Sequence, residues 1–316
     1  MTTLFIDKRD VEIDYESGAL VLRSEKERLS TIPIEPIKRV IIHGNNAICS
    51  RALGKLGEHG IGVIVLSGRK HEPTLFMPRA HNDASRRIRQ YQLSLDPSFC
   101  LRMSQEIVSA KLFSQMNTLT NLADCEQFKT VLWARDDLQR LYEQCALVDG
   151  LDRLRGIEGT AARRYFSALS AIVPKRLQFH GRNRRPPRDP FNAVLSLTYT
   201  IIHSEAVMTS YLHGLDPYIG FYHALDYSRN SLACDLMEPI RAQADLFALH
   251  LFKDELLRVE NFSTTSGGCL LGKAGRSRYY PEYEEFAQGF RQTLNQICHF
   301  LLGMMNVQTP LGRIYG

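Results

Sequence analysis

The spacing of apolar residues changes once along this chain, and that change limits what it can fold into. Up to about residue 70 the apolar residues come in short, β-branched-rich runs. These are Leu4-Phe5-Ile6, Val11-Glu12-Ile13, Ala19-Leu20-Val21-Leu22, Arg39-Val40-Ile41-Ile42 and Gly62-Val63-Ile64-Val65-Leu66. Turn formers such as Glu16-Ser17-Gly18 and Gly44-Asn45-Asn46 separate them, which is the pattern of strands. One short helix is expected over 48–58, with Ile48, Ala52, Leu53 and Leu56 on one face and Gly60 as its stop. Residues 67–79 contain Gly68, Pro73, Pro78 and several charges, and read as a boundary. From about residue 85 the helical period takes over and persists. The expected fold class is α+β: a small β-rich domain over 1–72, a linker over 73–88, and a larger all-α domain over 89–316. There is no internal repeat and no low-complexity segment.

Composition excludes several classes. A chain of 316 residues that is 44% hydrophobic and 23% charged can bury a sizeable core and is not globally disordered. Seven cysteines, at 49, 100, 125, 145, 234, 269 and 298, show no CxxC zinc spacing. The first residues lack the charged region and long apolar run of an export signal, so reduced thiols in a cytoplasm are expected. The most apolar stretch, Ala193 to Leu212, is interrupted by Ser196, Thr198, Thr200, His203, Ser204, Glu205, Thr209 and Ser210. That polarity favours a buried central helix over a membrane span.

Three places carry polar groups where an apolar surface is expected. In the helix over 158–172, Glu158 stands four residues before Ala162, on the stripe of Tyr165, Leu169 and Ile172. A buried carboxylate needs a partner; the alternative is an N-terminal acid favoured by the helix dipole. A second helix is expected from Ser231 to about Leu257. Its main apolar face is Leu232, Leu236, Ile240, Ala244, Phe247 and Leu251. Asp235 and Glu238 are neighbours on the other side, where Leu246 and Leu249 continue. That side is either solvated or lines a pocket. His223 lies in a loop-like stretch from Gly214, and a single histidine there also suits a purely structural role. Two carboxylates and one imidazole are a donor mixture suited to Mn²⁺ or Mg²⁺.

The formal net charge is only +5, but its distribution is uneven. Between residues 151 and 190 ten basic residues face three acidic ones, a local excess of +7. Nine of the ten are arginines: Arg153, Arg155, Arg163, Arg164, Arg176, Arg182, Arg184, Arg185 and Arg188; the tenth is Lys175. Arginine suits forked contacts to phosphate. His180 to Arg188 reads as a basic loop, and Asp189-Pro190 as the cap and first residue of the central helix. A second basic segment, Gly272 to Tyr280, combines Lys273, Arg276 and Arg278 with aromatic rings. A basic loop can also be simply solvated.

These residues, taken in order, resemble the first of the universal CRISPR-associated proteins, the spacer-acquisition integrase and endonuclease. The resemblance rests on Ile157-Glu158-Gly159-Thr160-Ala161-Ala162-Arg163-Arg164-Tyr165-Phe166 and on Arg184-Arg185-Pro186-Pro187-Arg188-Asp189-Pro190-Phe191-Asn192. It continues through Gly214-Leu215-Asp216-Pro217, His223, and Ser231-Leu232-Ala233-Cys234-Asp235-Leu236-Met237-Glu238-Pro239-Ile240-Arg241. Ile240-Arg241-Ala242 departs from the Phe-Arg-Pro frequent in that family. The resemblance implies that Glu158, His223 and Glu238 are catalytic and hold Mn²⁺ or Mg²⁺, with Asp235 in support. It implies DNA contacts from the basic residues, for which Arg163, Arg164, Lys175, Arg182, Arg184, Arg185, Arg188, Arg241, Lys273, Arg276 and Arg278 are candidates. It also implies a homodimer through the β-rich domain and assembly with the small second acquisition protein. The implied reaction is attack of a prespacer 3′-hydroxyl on a phosphodiester at the repeat ends of a CRISPR array. A stand-alone nuclease acting on branched DNA, or a non-catalytic DNA-binding scaffold, would carry many of the same residues.

Overall fold

In a computed structural model of the chain the described residues are 2–66, 73–78, 83–122, 128–183, 186–223, 226, 229–265 and 267–306. Contacts divide the chain into two units. One comprises residues 1–82 with 272–288, the other 83–271 with 289–316.

The first unit is built from strands β1 (Thr2–Ile6), β2 (Glu12–Glu16), β3 (Ala19–Ser24), β4 (Glu27–Pro33), β5 (Ile37–His43) and β6 (Ala47–Ile48), helix α1 (Ser50–Glu58), and strands β7 (Gly62–Leu66) and β8 (Pro73–Phe76). They form two four-stranded sheets, ordered β1-β5-β7-β8 and β4-β3-β2-β6. Ser17 and Gly18 both have positive φ, at 46° and 84°, as a tight β2–β3 hairpin of matching twist requires. One core draws Ile13 and Leu20 from one sheet, Ile6, Val40, Ile42 and Val63 from the other, and Ala52 and Leu56 from α1. Every strand expected from the sequence is present. Three strands were not expected: β4 is largely exposed and lacks the alternation of a half-buried strand, the two-residue β6 ends at the residue where the helix was expected to start, and β8 falls in the stretch read as a linker. Pro73 opens β8 at a sheet edge, where a missing N–H is tolerated.

The second unit is mostly helical. Its elements are α2 (Ser85–Ser94), α3 (Pro97–Asn121), α4 (Phe128–Cys145), α5 (Leu151–Ile172), α6 (Pro190–Leu212), α7 (Ser231–Met237), α8 (Arg241–Lys253), a hairpin of β9 (Phe262–Thr265) and β10 (Gly268–Leu271), and the later part of α9 (Lys273–Asn306). The hairpin holds the only strands among the described residues after 85. Thr264, Thr265 and the Gly267-Gly268 pair favour strand and turn there. The basic segment at Lys273 is helical, forming the start of α9.

The central helix is α6, buried along most of its length. Asp189 caps it: its Oδ1 accepts from Asn192 N at 2.8 Å, and Pro190 takes the first position. Its polar residues are satisfied internally. Thr198 and Ser204 donate to the backbone of the preceding turn, and Glu205 accepts two hydrogen bonds from Arg291 at 2.7 and 2.9 Å. Among the described residues no helix is long and apolar enough to cross a membrane.

Candidate metal centre and basic loop

Glu158 and Glu238 meet on the ammonium of Lys111. Glu158 projects from α5, which begins at Leu151, so it lies two turns inside the helix and is not an N-terminal acid. The buried stripe of α5 is Leu154, Ile157, Ala161, Tyr165, Ala168, Leu169 and Ile172, and Glu158 stands at its margin with 24% of its side chain exposed. Glu238 is 4% exposed. The expected continuous helix from Ser231 to Leu257 is broken at this residue. Pro239 has no N–H to return to the Asp235 carbonyl, so α7 ends and residues Glu238–Ile240 tighten into a 3₁₀ turn before α8. The Glu238 carboxylate at this turn is buried.

Lys111, on α3, is 11% exposed. Its Nζ makes a short contact to Glu158 Oε1 and lies 2.7 Å from Glu238 Oε2. The other oxygen of Glu238 accepts from Arg241 Nε at 2.8 Å. Burial pushes the Glu238 carboxyl up, but Arg241 and Lys111 push harder, so it is held well below the usual carboxylate range. Burial lowers Lys111, yet Glu238 and Glu158 outweigh it and its affinity for the proton is raised. Both carboxylate and ammonium are therefore charged. Lys111 has no distinguishing signal in the sequence, since one lysine in a 25-residue helix reads as a surface residue.

His223 joins the cluster through Asp235. The Nδ1–H of His223 donates to Asp235 Oδ1 at 2.7 Å, because a carboxylate can only accept. This fixes the tautomer and leaves Nε2 as the available nitrogen, 3.8 Å from Glu238 Oε1. Asp235 also accepts from the backbone N–H groups of Phe221, Tyr222 and His223, at 2.7, 3.1 and 3.0 Å. Gly220 lets this loop approach: a Cβ there would stand 2.8 Å from Asp235 Oδ2. Earlier in the same loop, buried Gln90 of α2 donates to the carbonyls of Asp216 and Ile219 and accepts from Asp216 N. Gln90 is another residue with no mark in the sequence.

The four residues singled out at this site, Glu158, His223, Glu238 and Asp235, are thus brought together from three parts of the chain. Among the described residues no three His, Cys, Asp or Glu side chains are gathered closely enough to hold a metal ion as they stand. The donor chemistry nevertheless suits a hard divalent cation. Two carboxylates already converge on one positive charge, and an imidazole nitrogen faces the same carboxylate.

The basic residues sort into two groups. Lys175 and Arg188 are exposed; Arg163 is exposed and donates to Thr160 Oγ1, and Arg164 pairs with Asp137 at the surface. Arg182 and Arg241 are turned inward. Their guanidinium groups lie 5.3 and 5.1 Å from the ring centroid of Tyr199, whose hydroxyl donates to buried Asp245. Arg182 also donates to Asn192 Oδ1 and Ser196 Oγ. Asn192 anchors the basic loop to α6, since its side chain also accepts from Asn183 N and donates to the Gly181 carbonyl. Cys269 N donates to the Pro187 carbonyl at 2.8 Å, tying the loop to β10 as well. Arg184 and Arg185 lie outside the described residues. Lys273, Arg276 and Arg278 are on the α9 residues that belong to the first unit, where Lys273 and Arg278 are exposed and Arg276 pairs with Asp7 at 3.0 Å.

Comparison with known proteins identifies the family. The family model for CRISPR associated protein Cas1 matches residues 4–285. A CRISPR-associated endonuclease Cas1 of Thermodesulfovibrio yellowstonii is 38% identical over 294 residues, covering 91% of this chain and 92% of that protein. Among solved structures, a Cas1 protein from Thermotoga maritima shares the fold with a TM-score of 0.86 at 22% identity, covering 98% of this chain and 99% of that one. A casposase bound to integration product also shares it, with a TM-score of 0.82 at 20% identity over 98% of this chain and 92% of its own. With a family model spanning most of its length and a relative this similar end to end, the chain belongs to the CRISPR-associated protein Cas1 family.

Proposed function

We propose that this protein is a divalent-metal-dependent DNA endonuclease and integrase that inserts prespacer DNA into a CRISPR array. The observation that carries the reading is the convergence of Glu158 and Glu238 on one cation, with the His223 Nε2 beside them. These three residues would hold Mn²⁺ or Mg²⁺, with Asp235 fixing the imidazole. When bound, such an ion neutralises and polarises a phosphodiester, which otherwise repels an incoming oxygen nucleophile.

The remaining work falls to the chain itself. Arg241 keeps Glu238 ionised and oriented from the side away from Lys111. The exposed basic residues Arg163, Arg164, Lys175 and Arg188 position the DNA backbone through its phosphates, with little need to read bases. A 3′-hydroxyl as nucleophile gives strand transfer, and water gives cleavage at the same centre. The protein would act in the cytoplasm as a homodimer joined through its β-rich unit, together with the small second acquisition protein.

Strand transfer into a supercoiled array plasmid, with and without that partner, tests the reading. Partner-dependent insertion at the repeat ends supports it. Partner-independent cleavage of branched DNA with no insertion would favour a stand-alone nuclease using the same residues. A scaffold without catalysis predicts loss of a ligand residue, and Glu158, His223 and Glu238 are all present.

A further inference from the structure

The Lys111 ammonium sits between the same two carboxylates that the proposed function gives to a metal ion. It is nearly buried, and it contacts Glu158 Oε1 and Glu238 Oε2 together. Removing an ammonium from water is costly, and the structure offsets that cost here with two carboxylates. Counting charges, Glu158, Glu238 and Asp235 carry three negative charges, and Lys111 and Arg241 carry two positive ones. The cluster is then close to neutral while Lys111 is in place, and has little net attraction left for a second cation. An ammonium and a divalent ion do not share the same pair of oxygens, because at about 4 Å in a largely buried site of effective dielectric near 20 their repulsion is about 8 kcal/mol. Lysine is also suited to leaving: its charge is a point on a flexible four-carbon stem, without the fixed fork of arginine. Arg241, by contrast, is held in place over Tyr199 and binds the other oxygen of Glu238.

We propose that Lys111 is the internal counter-cation of this centre, occupying the metal's place in the metal-free chain and leaving it when a divalent ion binds. Metal loading is then an exchange of one cation for another, and Lys111 sets the metal affinity below what the carboxylates alone would give. Its presence also offsets the repulsion between the buried Glu238 carboxylate and the partly exposed Glu158 carboxylate when no metal is bound, which protects the fold of the free protein. This inference rests on the metal-centre reading above.

The test is Mn²⁺ binding by calorimetry and by the shift of the thermal unfolding midpoint, in wild type, Lys111→Met and Glu158→Gln. If Lys111 competes with the ion, Lys111→Met unfolds at a lower temperature than wild type in chelator. The same variant binds Mn²⁺ at least tenfold more tightly and gains more in midpoint on adding it. Affinity equal to or weaker than wild type in Lys111→Met, with binding still lost in Glu158→Gln, overturns the exchange and leaves the metal centre standing. Absence of saturable Mn²⁺ binding in both wild type and Lys111→Met overturns the metal centre itself. Should Lys111→Met fail to fold, acetylation of wild-type Lys111 followed by peptide mass spectrometry decides. A rate at least fivefold higher in Mn²⁺ than in chelator supports displacement, and an unchanged rate contradicts it.

Discussion

His223 is held by Asp235 through both its ring and its backbone: Asp235 Oδ1 accepts from Nδ1–H at 2.7 Å and from the amide N–H at 3.0 Å. Together with the amides of Phe221 and Tyr222, four donors converge on one buried carboxylate. An Asn at this position would present an amide group to donors and lose the charge. Asp235→Asn is therefore expected to cost about 3 kcal/mol of stability, since hydrogen bonds to a charged group contribute roughly 1.5–3 kcal/mol each and partial relaxation is available. Urea unfolding measures this. A loss below about 0.5 kcal/mol would mean that the carboxylate does not organise the loop. Gly220→Ala, which brings a methyl group against the same carboxylate, is expected to cost about 1–3 kcal/mol in the same assay.

Asp245 gives the second unit a pH dependence of unusual sign. Burial pushes its carboxyl up to about 6 from the ordinary 3.8, against the opposing hydrogen bond from Tyr199. The folded protein therefore binds this proton more tightly than the unfolded chain does. Its contribution to stability is complete below about pH 4 and is lost as pH rises through 6. At about 1.4 kcal/mol per tenfold change in proton affinity, this is worth on the order of 3 kcal/mol. Comparing wild type with Asp245→Asn by chemical unfolding from pH 4 to 7.5 isolates it. The variant should gain relative stability as pH rises across that window; a difference that stays flat would contradict the assignment.

The Glu205–Arg291 pair links α6 to the later part of α9 deep in the second unit, with side chains 2% and 6% exposed. Removing one partner leaves the other charged and buried. Arg291→Met is expected to cost about 3–5 kcal/mol, and the double variant with Glu205→Met to recover much of that loss. A double-mutant cycle in unfolding free energy measures the coupling. Additive single losses would show that the pair is not coupled.

Arg182 and Arg188 lie in one loop but have different surroundings. Arg188 is exposed, so Arg188→Ala should weaken DNA binding across sequences and reduce the slope of log affinity against log salt by about 1. Arg182 is committed to Asn192, Ser196 and the Tyr199 ring. Its replacement by Ala should lower stability by about 1–3 kcal/mol and loosen the loop, with the salt slope unchanged. Fluorescence anisotropy on duplex DNA at several salt concentrations, paired with unfolding curves, separates the two. Equal salt slopes in wild type and Arg188→Ala would remove that residue from the DNA contacts.

The α+β class and most elements were legible in the sequence because they rest on short-range signals. β-branched runs marked the strands, and Asp189-Pro190 marked the start of α6. Glu158, Asp235, His223 and Glu238 were marked by residue type and by resemblance, whereas their convergence is a matter of tertiary packing, and the break at Pro239 is one that periodicity alone read through. β4 escaped because an exposed edge strand buries little and so shows no alternation. Lys111 and Gln90 escaped for a different reason. Each is a polar residue in an ordinary helix, and only tertiary packing shows that one faces two carboxylates and the other holds the loop leading to His223. Arg182 and Arg241 shared the composition of the basic strip, but packing against Tyr199 turned them inward, and charge counting carries no information on direction.

The most direct test of the account is joining of a DNA 3′-end to a target duplex in Mn²⁺, compared among wild type, Glu158→Ala and His223→Ala with folding verified for each. The account predicts joining by wild type that stops in chelator, and a loss of at least a hundredfold in both variants. Wild-type rates in Glu158→Ala and His223→Ala would contradict it.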